Sequence, residues 1–126
     1  MIKIAPWINF NGNAEEAFEF YKEAFGGEVK KTLADNKVMF VTLTISKDYM
    51  LIANNVPEEM GRVNENENRS KIAVTLDNKE EAEKVFNKLS AGGNVEVPMS
   101  EGMGTYMGMF RDKYGIEWII EFYSEK

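Results

Sequence analysis

The same helical signature occurs twice in this chain, and that repetition limits its fold more than any other feature. NAEEAFEFYKEAFGG begins at Asn13 and NKEEAEKVFNKLSAGG at Asn78. In the first, Ala17, Phe18, Tyr21, Ala24 and Phe25 recur at helical spacing and form one apolar stripe; in the second, Ala82, Val85, Phe86 and Leu89 do the same. Each segment opens on Asn with Glu three residues later (Asn13 and Glu16, Asn78 and Glu81), which is the pattern of a capping box. Each closes on Gly-Gly, a helix stop. The period of about 65 residues is half the chain, so this is a duplication and not a solenoid.

The duplication extends outward from the helices. A strand-like run precedes each one, Ile4 to Phe10 and Lys71 to Leu76, and a short strand around Val29 or Val95 follows. Then comes a hairpin: VMFVTLTI, a turn at Ser46-Lys47-Asp48 and YMLIA in the first half; TYMGMF, a turn at Asp112 to Gly115 and IEWIIEF in the second. Phe40, Thr42 and Thr44 alternate with Val41, Leu43 and Ile45, as a half-buried strand requires, and Glu117, Ile119 and Glu121 alternate with Trp118, Ile120 and Phe122. Asn54 to Arg69 is polar, holds a Pro and a Gly, and reads as an exposed linker. Pro98 to Gly104 reads as a loop.

One amphipathic helix and about four strands cannot bury an apolar face unaided. The expected fold is therefore α+β: paired βαβββ modules forming a curved mixed sheet around a central cavity, with a helix on each outer face. Module 1 is placed at about 1–54, the linker at about 55–69 and module 2 at about 70–126, all within one domain of 126 residues.

Composition narrows the chemistry. There is no cysteine, which removes disulfides, thiolate nucleophiles and zinc–sulfur sites. There is no histidine either, which removes imidazole bases, Ser-His-Asp arrangements and imidazole metal ligation. A formal charge of −6, with lysines scattered among glutamates, argues against nucleic acid as a partner. The opening MIKIAPWINF has too short an apolar run for a signal peptide, and no stretch approaches the roughly 20 apolar residues of a membrane helix. A cytoplasmic protein with no membrane partner is expected.

The order and spacing of these motifs carry a resemblance. PWINFNGNAEEAFEFYKEAFGGE, VPMSE and GMFRDKYGIEW together resemble the vicinal oxygen chelate superfamily (glyoxalase I, extradiol dioxygenases and bleomycin-resistance proteins), and within it the PhnB-like branch. The resemblance spans the chain apart from the linker. It implies two modules, a central cavity and a homodimer. Metal-using members of that superfamily place four His, Gln or Glu ligands on the first and last strands of each module. Here those positions fall at or beside Pro6, around Leu51 and Ile52, at Lys71 and near Ile119, and none carries an expected ligand. A one-step shift on the final strand brings in Trp118 and Ile120, which are no better. No metal and no other cofactor are expected. PhnB-like proteins are also described as methyltransferase-like, but no glycine-rich turn between a strand and a helix is present to seat a nucleotide cofactor.

The candidate ligand-binding residues are Trp7, Thr42, Lys71, Tyr106, Met107, Glu117 and Glu121. Glu117 and Glu121 share a strand face about 13 Å apart, too far to touch, and a Lys71–Glu121 ion pair is possible if both face the cavity. Lys71 would anchor an anionic ligand, or a buried glutamate would act as acid or base; the plainer account is that all three are solvated or structurally paired. Met99, Met103, Met107 and Met109, with Tyr106, suit an adaptable ligand wall and equally a core or dimer interface. Trp7, Trp118, Phe40 and Tyr123 are explained by packing alone, with Trp7 distinguished by its place next to the first ligand position. The expected function is metal-independent binding of a small molecule. The alternatives are a His-free lyase or isomerase using the cavity glutamates and Lys71, and sequestration of a cationic drug.

Overall fold

The computed structural model describes residues 4–57, 59, 61–66, 70–102 and 104–123. Of the methionine cluster, Met103 lies outside them. The chain divides into two compact units, Met1–Asn64 and Glu65–Lys126, each with one α-helix and one four-stranded sheet among the described residues.

In the first unit β1 (Trp7–Phe10) leads into α1 (Ala14–Phe25), followed by β2 (Glu28–Ala34), β3 (Lys37–Ser46) and β4 (Tyr49–Asn55). The sheet order is β1-β4-β3-β2, with β1 parallel to β4 and the other pairs antiparallel. The β2–β3 hairpin turns on Asp35 and Asn36, both at positive φ, the conformation a two-residue turn needs and one these residue types tolerate. Ala14, Ala17, Phe18 and Tyr21 of α1 are buried, as are Phe10, Val41, Leu43, Leu51 and Ala53 of the strands. These are the alternate strand residues, so one sheet face meets the helix and the other does not. Ala24 and Phe25, at the end of the expected stripe, are only half-buried.

The second unit repeats the plan: β5 (Ile72–Thr75), α2 (Lys79–Ser90), β6 (Asn94–Gly102), β7 (Thr105–Arg111) and β8 (Glu117–Tyr123), in the order β5-β8-β7-β6 with β5 parallel to β8. Ala82, Val85, Phe86 and Leu89 of α2 are buried, with Tyr106, Phe110, Trp118 and Ile120 of the sheet. Gly108 lets the helix approach: a Cβ there would lie 2.7 Å from the Phe86 ring and 2.9 Å from Met99 Sδ.

Two local expectations need correction. The stretch from Pro98 is not a loop: β6 runs on to Gly102, and Pro98 falls where the β6–β7 register shifts, between Val97 and Ser100. A bulge on an edge strand accepts a residue without an N–H, so Pro98 does not end the strand. The first helix is not capped by its own Asn13, whose Oδ1 is buried without a partner. Asn55, at the end of β4, accepts hydrogen bonds from the Gly12 and Ala14 amides instead, each at 3.0 Å. In the second unit Asn78 caps as expected, accepting from Glu81 N at 2.8 Å.

The segment between the sheets is anchored. Asn11 exchanges two hydrogen bonds with the backbone of Val63, and Arg111 donates to the carbonyls of Glu65 and Asn66. The β7–β8 connection is built on Asp112, which is buried and accepts from Tyr114 N, Ile116 N and the Trp118 indole. Among the described residues no helix is long and apolar enough to cross a membrane.

Candidate functional site

The strand register sorts the helix-free face of the second sheet into rows. Lys71 precedes β5 and pairs with Glu117, which faces Arg111 and then Asn94. The next row is Ala73, Ile119, Met109 and Val97, and the one after it is Thr75, Glu121, Met107 and Ser100. An apolar row thus lies between a charged row and a polar one. This face is what period-2 alternation leaves once Trp118, Ile120, Phe110 and Tyr106 are turned toward α2.

Glu117 organises the charged row. Its side chain is 1 % exposed, and its two oxygens are held separately: Oε1 accepts from Lys71 Nζ at 2.7 Å and Oε2 from Arg111 Nη2 at 2.6 Å. Arg111 Nη1 donates to the carbonyls of Gly115 and Glu65, so this guanidinium mainly fixes the turn and the start of the unit. Glu96 enters from the β6 position where the register shifts between Val95 and Val97. It lies 4.0 Å from Lys71 Nζ.

Burial pushes the Glu117 carboxyl up, but its bonds to Lys71 and Glu96 and the charges of Arg111 and Lys71 outweigh that and hold it below the ordinary carboxylate range. Glu96 moves the other way: burial first, then its contact with Glu117 and that group's charge, raise it, against a weaker pull from Lys71 and Arg111. The same cluster therefore shifts its two carboxyls in opposite directions.

The sequence candidates fall into three groups. Lys71 and Glu117 come together, with Arg111 and Glu96 as members that sequence reading missed. Glu121 does not reach Lys71; its oxygens accept from Thr75 Oγ1 at 3.1 Å and Tyr123 OH at 3.2 Å, two rows away. Met107 shares the open face, while Tyr106, its neighbour in the strand, points to the opposite side and donates its hydroxyl to Glu83 of α2 beneath the Lys79 ammonium. In the first unit Trp7 and Thr42 flank Ile52 on the helix-free face. Trp7 is 54 % exposed and oriented by a 2.9 Å bond from its indole N–H to Asn54 and by a tilted contact with Phe40.

Divalent metal does not fit these residues. Both Glu117 oxygens are already on cations, the ammonium of Lys71 repels another, and Ile119 and Ile52 offer no donor. Among the described residues no group of three or more His, Cys, Asp or Glu is placed to hold an ion.

Comparison with known proteins agrees with this architecture. Residues 4–120 match the model of the Glyoxalase/Bleomycin resistance protein/Dioxygenase superfamily. The crystal structure of protein PA1353 from Pseudomonas aeruginosa is 29 % identical, with a TM-score of 0.83 over 97 % of this chain and 98 % of that one. A PhnB protein from Bacillus cereus is 25 % identical, with a TM-score of 0.72 over 96 % of this chain and 99 % of its own. Protein YjdN of Escherichia coli K12 is 24 % identical over 93 % of this chain and 92 % of its own. With two βαβββ units in sequence and a family match over nearly its whole length, this chain belongs to the Glyoxalase/Bleomycin resistance protein/Dioxygenase superfamily.

Proposed function

We propose that this protein binds a small organic molecule without a metal ion, on the helix-free face of its second sheet. The observation that carries the proposal is the row pattern: Ala73, Ile119, Met109 and Val97 form an apolar strip bounded by the Lys71–Glu117–Arg111 row and the Thr75–Glu121 row. Such a strip offers area to a ligand's carbon skeleton, and the polar rows fix its orientation. Methionine suits the middle because its side chain adapts to more than one shape. In the first unit, Trp7 and Thr42 belong to the same proposal as contacts of the corresponding face.

The test is a fragment panel followed by amide NMR. Shifts should cluster at Ala73, Met107, Met109 and Ile119, and elemental analysis of protein equilibrated with divalent metals should find no stoichiometric ion. Shifts confined to the helix faces, or one tightly held metal per chain, would refute it. Homodimerisation is part of the proposal too, supported by the exposed Leu33, Val38 and Met39 around the β2–β3 turn. Sedimentation should give twice the chain mass, and Leu33→Glu with Met39→Glu should return it to one.

A further inference from the structure

We propose that Glu121 and Tyr123 receive the ammonium group of a small organic cation whose apolar part lies over Met107 and Ile119. This rests on the binding reading above and adds a ligand class, an anchoring carboxylate and an aromatic partner.

The charges on the open face of the second sheet are not all paired. Lys71 and Arg111 are both committed to Glu117, at 2.7 and 2.6 Å. Glu121 lies about 13 Å along β8 from Glu117 and is held by neutral donors. Thr75 Oγ1 donates to one of its oxygens at 3.1 Å and Tyr123 OH to the other at 3.2 Å. Among the described residues no ammonium or guanidinium is ion-paired with it. The two hydroxyls fix the direction of the carboxylate, leave each oxygen further capacity to accept, and cancel none of its charge.

A second tyrosine–glutamate pair in the same unit shows what completes such an arrangement. Tyr106 donates its hydroxyl to Glu83, and the Lys79 ammonium sits 4.6 Å from the centroid of the Tyr106 ring. Lys113 likewise covers Tyr114, at 5.6 Å. Tyr123 donates to Glu121 as Tyr106 does to Glu83, and it is 51 % exposed. Among the described residues no cation lies over its ring. A cation arriving there meets an oriented carboxylate and the negative face of an aromatic ring, two attractions of the same sign. The formal charge of −6 on the whole chain favours its approach.

The strand register says where the rest of the ligand lies. Met107 is directly opposite Glu121 on β7, and Ile119 is two residues back along β8 on the same face. Both are half-buried, so their side chains offer apolar area to a carbon chain without being enclosed. A chain running from Glu121 over Ile119 points toward Lys71 and Arg111. A second ammonium at its far end would be repelled there, so a monocation is favoured over a dication.

Hexylammonium is the probe, with hexanol, hexanoate and hexanediamine as its neutral, anionic and doubly charged counterparts, measured by calorimetry and amide NMR on the intact chain. Hexylammonium should bind roughly tenfold more tightly than hexanol. It should weaken with added salt and shift the amides of Met107, Ile119 and Glu121. Glu121→Gln keeps an oxygen for Thr75 and Tyr123 but no charge, and should bring hexylammonium down to the affinity of hexanol. Tyr123→Leu, at the exposed end of β8, should weaken hexylammonium about two- to fivefold and keeps the test open should Glu121→Gln unfold. Equal affinity for hexylammonium and hexanol, or binding indifferent to both substitutions, overturns the proposal. Hexanoate as the tightest ligand overturns the sign of the charge, and hexanediamine as the tightest overturns the choice of a monocation. If hexylammonium does not shift this face while other fragments do, this inference fails and the binding reading survives; if no fragment shifts it, the binding reading itself fails.

Discussion

Asp112 shows how much structure one buried carboxylate can hold. Its two oxygens receive two backbone amides of the β7–β8 turn and the indole N–H of Trp118, the largest fully buried side chain among the described residues. Removing that acceptor strands three donors, two of them in buried positions. Asp112→Ala should cost about 3 kcal/mol or more of unfolding free energy, visible as a lower urea midpoint with Trp118 fluorescence as the probe. Gly108 is constrained for the opposite reason, by want of space. An added methyl would press on the Phe86 ring and on both the sulfur and the backbone nitrogen of Met99. Gly108→Ala should destabilise by roughly 1–3 kcal/mol, since neither the helix nor the edge strand can yield without repacking. If its midpoint is unchanged, Phe86 has more room than its contacts imply.

Elements that look equivalent in the sequence are finished differently in space. Both helices offer an Asn at the cap, yet only Asn78 serves, while α1 relies on Asn55 from the far end of β4. Asn78→Ala and Asn55→Ala should each cost about 1 kcal/mol, whereas Asn13→Ala should be near neutral because it removes no bond and one unpaired buried oxygen. Thermal melts of the three variants distinguish the cases. The contrast also marks where sequence stops being informative. Helical stripes, strand alternation and the duplication were legible because each depends on neighbours a few residues away. The cap at Asn55 depends on a residue 41 positions along the chain, and β6 carries its strand through Pro98 by bulges that erase the two-residue period. The charged row escaped for a related reason. Which glutamate of β8 meets Lys71 is decided by the parallel register of β5 against β8, which no local pattern specifies, and Glu96 and Arg111 enter from bulge and strand-end positions.

For the molecule as a whole, these carboxyls give stability an unusual dependence on pH. Glu117 is held below its unfolded value, so its contribution is present above the unfolded pKa and disappears as pH falls through the folded one. Glu96 is raised, so its contribution is present below its unfolded pKa and disappears as pH rises through the folded one. The two slopes oppose each other, and substitution separates them. Glu117→Gln should lower stability at neutral pH by about 3 kcal/mol, since it weakens the partner of two part-buried cations, and should flatten the acid limb. Glu96→Gln should remove the decline on the alkaline side. Urea midpoints at a series of pH values test both, and an acid limb that survives in Glu117→Gln would assign it to other carboxyls. The hydrogen bonds at Val63 and at Glu65 have a mechanical meaning as well. One belongs to the first unit and the other to the second, so the polypeptide has only Asn64 in which to pass from one mooring to the next. A spacer of glycine and serine inserted after Asn64 would leave both moorings tied, whereas the same spacer after Asn66 would lengthen a stretch that already belongs to the second unit. Protein engineers wishing to separate the halves therefore have one natural place to cut.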